Sequence, residues 1–194
     1  MNRTCTALIM CAALVLFAHV LPAQSTWGGL RFGMSRAEVD QALGSKGLKM
    51  SAAGQNPDLF DVTPAYQVSV PDLVDPIPFN VQLYFSVGKL NQITLGLDKA
   101  TYIKEGGSVY AVVDVVNGSM KKALTAKYGA PFETTRPCSA EGHDLVELLL
   151  HNDMVECKSS WHGQAQLISV KWWFNKRMEF FSYFVSYQPA PSDL

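Results

Sequence analysis

The sequence predicts an α+β domain in which two units, each a helix followed by an antiparallel meander of strands, pack as one body. Three observations lead to this fold class: a capped helix opens the chain after residue 26, alternating apolar and polar runs follow it, and the same succession returns after residue 100. The units cover 26–100 and 101–194, in the orders α-β-β-β and α-β-β-β with room for a further strand. The predicted tandem repeat is one of architecture, because the two halves share few residues.

Residues 1–25 have the composition of a cleavable secretory signal peptide. Arg3 supplies positive charge, 7–18 is an uninterrupted apolar run, and Ala23 and Ser25 offer alternative cleavage positions. A bilayer-spanning helix needs about 20 apolar residues, so we expect a periplasmic or secreted protein without a membrane span rather than an uncleaved anchor. Removing Arg3 leaves 15 basic and 17 acidic residues, a formal charge of −2. This charge balance does not predict a basic surface for binding nucleic acid.

The first helix is specified by local capping residues. Ser35 precedes the helix and Glu38 follows three residues later, which is the spacing of a capping box, while Met34 can pack on Val39 as a hydrophobic staple. Gly44 stands where a left-handed residue would end the helix. We therefore predict a short helix that begins after Ser35 and ends at Gly44.

Three strands are predicted after this helix, because apolar residues recur at every second position in 66–70, 81–87 and 92–97. A tight turn at Gly88-Lys89 would join the second and third strands as an antiparallel hairpin.

The second helix is predicted over 108–128, where an apolar stripe recurs at helical spacing and Gly129 followed by Pro131 ends the pattern. Asn117-Gly118 interrupts the stripe. The alternative interpretation makes 109–116 a strand, Asn117-Gly118 a turn, and Ser119 the cap of a shorter helix.

The last third is predicted to contain four strands, over 143–151, 154–161, 165–174 and 178–187, with turns at 152–153 and 175–176. Cys138 and Cys157 are the two cysteines left once the leader has removed Cys5 and Cys11. An even pair in an oxidising compartment favours a disulfide over two free thiols.

No local motif for a nucleophile, a metal site or a phosphate loop occurs in the sequence, and neither a cofactor nor a metal is predicted. His143 and His151 would lie about 26 Å apart on one strand, too far to share a metal ion. The rival to a binding role is an enzyme or small-ligand carrier whose site assembles from distant residues, with Asp114, Glu133, Glu147 and His151 as candidates.

The final hairpin is the main candidate for a binding surface, because aromatic residues occur at both its odd-numbered and its even-numbered positions. If 175–176 is a two-residue turn, Trp173 faces Met178 and Leu167 faces Phe184 on the second face of the sheet. The candidate binding residues on that face are Lys171, Trp173, Met178, Phe180 and Phe184. Aromatic residues beside a cation are typical of protein-binding hot spots, although a helix, the Trp27 segment or a homodimer partner would also cover such a face.

The segment from Leu30 to Gly44, with Gly33-Met34-Ser35 and Glu38-Val39, resembles the helix opening of SmpA/BamE-like outer-membrane assembly lipoproteins and of β-lactamase-inhibitor-like domains. A second segment, residues 124–131, resembles a pattern of exported bacterial proteins. The resemblance implies a small exported α+β module, and binding or inhibition more readily than catalysis. This chain lacks the lipid-attachment cysteine of the assembly lipoproteins. The predicted function is therefore an exported non-catalytic protein that binds another protein, as an inhibitor or as an envelope scaffold.

Overall fold

The computed structural model describes residues 27–68, 76–97, 116–140, 142–177 and 180–191. An antiparallel sheet of eight strands lies at its centre, in the order β1-β2-β3-β4-β8-β7-β6-β5. The strands are β1 (Lys49–Ala52), β2 (Leu59–Val68), β3 (Ile77–Ser86), β4 (Lys89–Leu97), β5 (Glu133–Thr134), β6 (Met154–His162), β7 (Gln166–Asn175) and β8 (Phe180–Pro189). The predicted α+β class is confirmed. The strands β1 to β4 follow one another as a meander and join the second half of the sheet where β4 pairs with β8. The second half is not the simple helix-plus-meander unit that was predicted, because two helices separate β5 from β6. The predicted signal peptide lies outside the described residues.

Within the described ranges four helices accompany the sheet: α1 (Arg36–Gly44), α2 (Asn117–Tyr128), α3 (Arg136–Ser139) and α4 (Gly142–His151). The predicted capping box at the start of α1 is confirmed, since Glu38 accepts from the Ser35 backbone N–H at 2.7 Å and the Ser35 hydroxyl accepts from the Glu38 N–H. The expectation for Gly44 is wrong in one respect. It is the last helical residue, but the left-handed conformation belongs to Gly47, three residues later, with φ of 72°.

The sheet of the first half contains one strand more than the three predicted. β1 pairs with β2, which begins at Leu59, several residues earlier than the alternation indicated. The β3–β4 hairpin is antiparallel as predicted, but its two-residue turn is Val87-Gly88. The turn therefore lies one residue earlier than Gly88-Lys89, and a valine takes its first central position.

The predicted strand over 143–151 is wrong, because these residues form the helix α4. The segment carries five apolar residues among ten, so it satisfies a period of 2 and a period of 3.6 equally well. Its packing decides the outcome: Leu145 and Leu149 are buried at helical spacing, whereas Leu150, predicted to point inward, is 46% exposed. In a helix, His143 and His151 are about 12 Å apart along the axis, which is still too far for a shared metal ion.

The described part of the second predicted helix is α2. The helix begins at Asn117, so Asn117-Gly118 belongs to its first turn and does not form the separate turn of the alternative interpretation. The apolar stripe keeps its phase, with Val116 and Leu124 buried and Met120 packed against the core. Residues 98–115, which carry the predicted beginning of the helix, are outside the described residues.

The β7–β8 hairpin differs in register from the prediction. Trp173 pairs with Ser182, not with Met178, and Leu167 pairs with Gln188, not with Phe184. The register shifts by four residues because the connection spans 176–179 and is not a two-residue turn. Since four is an even number, each side chain keeps the face that was predicted for it.

The two faces of the sheet differ in character. On the apolar face the cross-strand row of Val81, Leu95, Val185 and Val170 is buried. Helices contact the sheet on this face. The Arg36 guanidinium lies over the Phe60 ring, and the Gln166 side-chain amide donates a hydrogen bond to the Tyr128 hydroxyl. A disulfide joins Cys138 to Cys157 on the same face. We call the opposite face, whose central row is Gln82, Thr94, Ser186, Ser169 and Ser160, the open face.

The predicted disulfide between Cys138 and Cys157 is confirmed. It ties the four-residue helix α3 to β6, and both residues are fully buried. Closing a loop of this length, a sequence separation of 19, stabilises the folded state by about 3 kcal/mol in the chain-entropy description. The disulfide thus fixes a helix that is too short to be stable alone.

Candidate functional site

The aromatic residues of the last hairpin divide between the two faces of the sheet. Trp172 and Tyr183 form a cross-strand pair on the apolar face and are buried, and burial raises the pKa of the Tyr183 phenol far above its ordinary value. Trp173 and Phe184 lie on the open face and are only half-buried. Aromatic residues therefore occur at both odd and even positions of the hairpin for two reasons. One set builds the core, and the other set remains accessible on the open face.

Trp173 and Phe184 are in contact on the open face, with ring centroids 5.4 Å apart and planes tilted by 35°. They lie diagonally, because Phe184 pairs directly with Lys171. On its other side Phe184 pairs with Gly96 of β4, and a Cβ atom built at Gly96 would stand 3.1 Å from the Phe184 ring. The ring therefore packs closely on Gly96, and a larger residue there would have to push it aside by a few tenths of an ångström.

A charged cluster lies beside this aromatic pair. Lys158 pairs across the strands with the exposed Lys171, and its Nζ atom is 2.6 Å from Glu133 Oε2. The hydrogen bond from Lys158 lowers the pKa of the Glu133 carboxyl, with further contributions from the Ser160 hydroxyl and from the charge of Lys171. Glu133 is therefore an ionised partner of two lysines, which does not suit it as a general base near neutral pH.

A second aromatic contact lies at the far end of β6 and escapes sequence analysis. Phe132 stacks on His162 with ring centroids 4.0 Å apart and an interplanar angle of 17°, and Phe132 is 54% exposed. His162 is the last residue of β6 and shares the face of Ser160. Phe132 belongs to the connection before β5, and neither a period nor a motif in the sequence links it to His162.

The structure separates the candidate residues of the rival enzyme or carrier function. Glu147 and His151 line an open cleft of about 480 Å³ between α3 and α4, together with Arg136 and Asp144. Glu133 lies on the open face of the sheet instead, and Asp114 is outside the described residues. No group of three or more His, Cys, Asp or Glu residues able to hold a metal ion occurs in the described part of the chain.

Three of the five predicted binding residues, Lys171, Trp173 and Phe184, are brought together on the open face. Phe180 opens β8, where its backbone pairs with Asn175. Met178 lies outside the described residues.

Comparison with models of protein families, with curated proteins and with solved structures finds no significant match. Among the described residues, none of the helices has the length and apolar character needed to cross a membrane.

Proposed function

We propose that this chain is an exported, non-catalytic binding protein that engages another protein through the open face of its sheet, as an inhibitor or as a scaffold of an envelope assembly. The observation that carries the proposal is the half-exposed Trp173–Phe184 pair beside the exposed Lys171. Tryptophan and other large aromatic residues are enriched among the residues that dominate binding energy in protein interfaces.

The dimensions of the open face suit a protein partner. Eight strands about 4.8 Å apart span roughly 34 Å, and ten-residue strands are about 33 Å long, so the face offers on the order of 1,000 Å². A stable protein interface buries about 800 Å² on each partner. The backing of the face is rigid, because the residues beneath it form the buried core, and a preorganised surface loses little conformational entropy on binding.

Export is supported by the disulfide. Disulfides persist in oxidising compartments and are rare in the cytosol, and Cys138–Cys157 ties α3 to β6. The composition of residues 1–25 gives the same expectation.

A small-ligand carrier or enzyme is the second candidate, and the α3–α4 cleft is the observation that favours it. The cleft gathers Arg136, Asp144, Glu147 and His151, a mixed set of charges within a volume typical of small-molecule sites. It is open, and charged residues stand among its lining, whereas such sites are usually enclosed and mainly apolar. The open face is therefore the better-supported site.

The proposal is tested by affinity capture from envelope and culture-supernatant extracts with the mature protein and a Trp173→Ser, Phe184→Ser double variant. Tyr66→Ser is the matched control, because Tyr66 is an aromatic residue 41% exposed elsewhere on the sheet. We expect a partner that wild type and Tyr66→Ser retain and that the double variant loses, and whose binding is reproduced with purified components.

Gly96→Ala provides a second variant that leaves every aromatic side chain in place. Its new methyl group would stand 3.1 Å from the Phe184 ring and force a shift of a few tenths of an ångström. Binding should therefore weaken slightly while the far-ultraviolet spectrum is unchanged. Equal capture by wild type and the double variant, with both proteins folded, would refute the proposal.

A further inference from the structure

Two neighbouring rows of the open face have opposite chemical character. A row consists of residues that pair across β6, β7 and β8, and consecutive rows are about 6.6 Å apart because alternate residues of a strand share a face. We call Glu156, Trp173 and Ser182 the acidic row, and Lys158, Lys171 and Phe184 the basic row. On each strand one row supplies what the other lacks: a base for an acid, a cation for an aromatic ring, and a large side chain for a small one.

The charges of this region cancel. The two lysines of the basic row are accompanied by two carboxylates, Glu133, which pairs with Lys158, and Glu156. Glu156 and Lys171 are exposed, and neither makes an ion pair within the part of the chain that the structure describes. A surface with a net charge repels a copy of itself, so the neutrality of this region favours self-association.

Resting on the proposed function, we infer that the partner at the open face is a second copy of this chain. The two copies are related by a twofold axis that lies between the acidic and basic rows, perpendicular to the strands. This axis sets each strand antiparallel over its own copy. Glu156 then faces the partner's Lys158, Trp173 faces the partner's Lys171, and each contact occurs twice. Opposite charges and a cation over an aromatic ring are both attractive.

The same axis sets large side chains over small ones. On β8, Phe184 faces the partner's Ser182. On β6, Met154 lies one row beyond the acidic row and Ser160 one row beyond the basic row, so these two residues also face each other across the axis. Met154 is 70% exposed, whereas Ser160 is almost fully buried. Side chains that project opposite low points allow two sheet faces to pack closely.

The area of the open face is sufficient for a dimer. A stable interface buries about 800 Å² on each partner, and the face offers on the order of 1,000 Å² from the strand spacing and length. Two sheets that pack face to face keep their strands within about 30° of each other, which the proposed axis satisfies. The dimer covers Met154, Trp173 and Phe184, the large apolar residues that the open face otherwise leaves accessible.

Analytical ultracentrifugation of the mature protein over the micromolar concentration range tests the inference. We expect a reversible dimer. Trp173→Ser should raise its dissociation constant by about tenfold or more, the scale of an interface hot spot. Tyr66→Ser is the matched control and should leave the constant unchanged, because Tyr66 pairs across the strands with the buried Phe79 of the apolar face.

Charge reversal tests the position of the axis. A Glu156→Lys dimer sets like charges against Lys158 at both contacts, and a Lys158→Glu dimer does the same against Glu156. Each variant alone should therefore dimerise about tenfold more weakly. A mixture of the two restores opposite charges at both contacts, so heterodimers should form with nearly the affinity of wild type. Lys158→Glu is combined with Glu133→Gln, which removes the like charge beside it, and far-ultraviolet spectra check that each variant is folded.

A wild-type protein that stays monomeric overturns the inference. A dimer that Glu156→Lys leaves intact does so too, as does a mixture of the folded variants that fails to associate. If wild type is monomeric but capture of a different protein still depends on Trp173 and Phe184, the proposed function stands and the inference fails. If neither dimerisation nor capture depends on these residues, both fail.

Discussion

The turn between β3 and β4 stores backbone strain that one substitution should release. Val87 takes the first central position with φ of +50°, followed by Gly88 with φ of +70°. Positive φ at both positions is the pattern of a type I′ turn, which favours Asn-Gly, and a β-branched residue in this region is strained. Because Val87 is 97% exposed, its side chain gains no burial that would offset the strain.

Replacing Val87 by asparagine should therefore stabilise the protein. A residue held in the left-handed region costs about 1–3 kcal/mol, and asparagine tolerates that region with part of this cost removed. We expect a gain of about 1 kcal/mol in the free energy of unfolding. For a chain of this size such a gain raises the melting temperature by about 2–4 °C.

The effect is measured by urea unfolding followed by tryptophan fluorescence. We expect Val87→Asn to unfold at a higher urea concentration than wild type, with the same dependence of the unfolding free energy on urea. Gly88→Ala is the matched control. No atom lies within 4 Å of a Cβ built there, so its expected loss of about 1 kcal/mol reflects backbone conformation alone. An unchanged or lower midpoint for Val87→Asn would show that the turn is not strained in this way.

Two further predictions concern the second half of the chain. The Cys138→Ser, Cys157→Ser double variant should lose about 3 kcal/mol of stability, and reductant should lower the melting temperature of wild type but not that of the variant. Glu133 has a lowered pKa in the folded state, so its ion pair contributes fully above the ordinary value of 4.5 and is lost as the pH falls below it. Wild type should therefore lose more stability than Glu133→Gln between pH 5 and pH 3, and parallel pH profiles in thermal melts would contradict this.

Local chemistry explains which elements were predictable. The start of α1 depends on Ser35 and Glu38, three residues apart, so its capping box could be identified without any tertiary contact. α4 shows the opposite case, because its leucines satisfy two periods and only the burial of Leu145 and Leu149 against the sheet selects the helix.

The binding surface was predictable in part. Alternation along the strands predicts the face on which Lys171, Trp173 and Phe184 lie. This assignment stayed correct although the predicted hairpin register was wrong by four residues, because a shift by an even number keeps each side chain on its face. Their mutual contacts did not follow. Phe184 lies beside Trp173 and over Gly96 because the longer connection moves β8 along β7, a displacement that no local pattern encodes.

The sequence by itself determined the α+β class, the pairing of the two cysteines and the division of the last hairpin into a core face and an accessible face. Each of these depends on composition or on a period of two to four residues. Only the tertiary structure decided that β4 pairs with β8, that Phe132 stacks on His162, and that Glu133 neutralises Lys158. These contacts join residues that are distant along the chain, and their geometry is set by the packing of the whole sheet, not by any neighbouring residue.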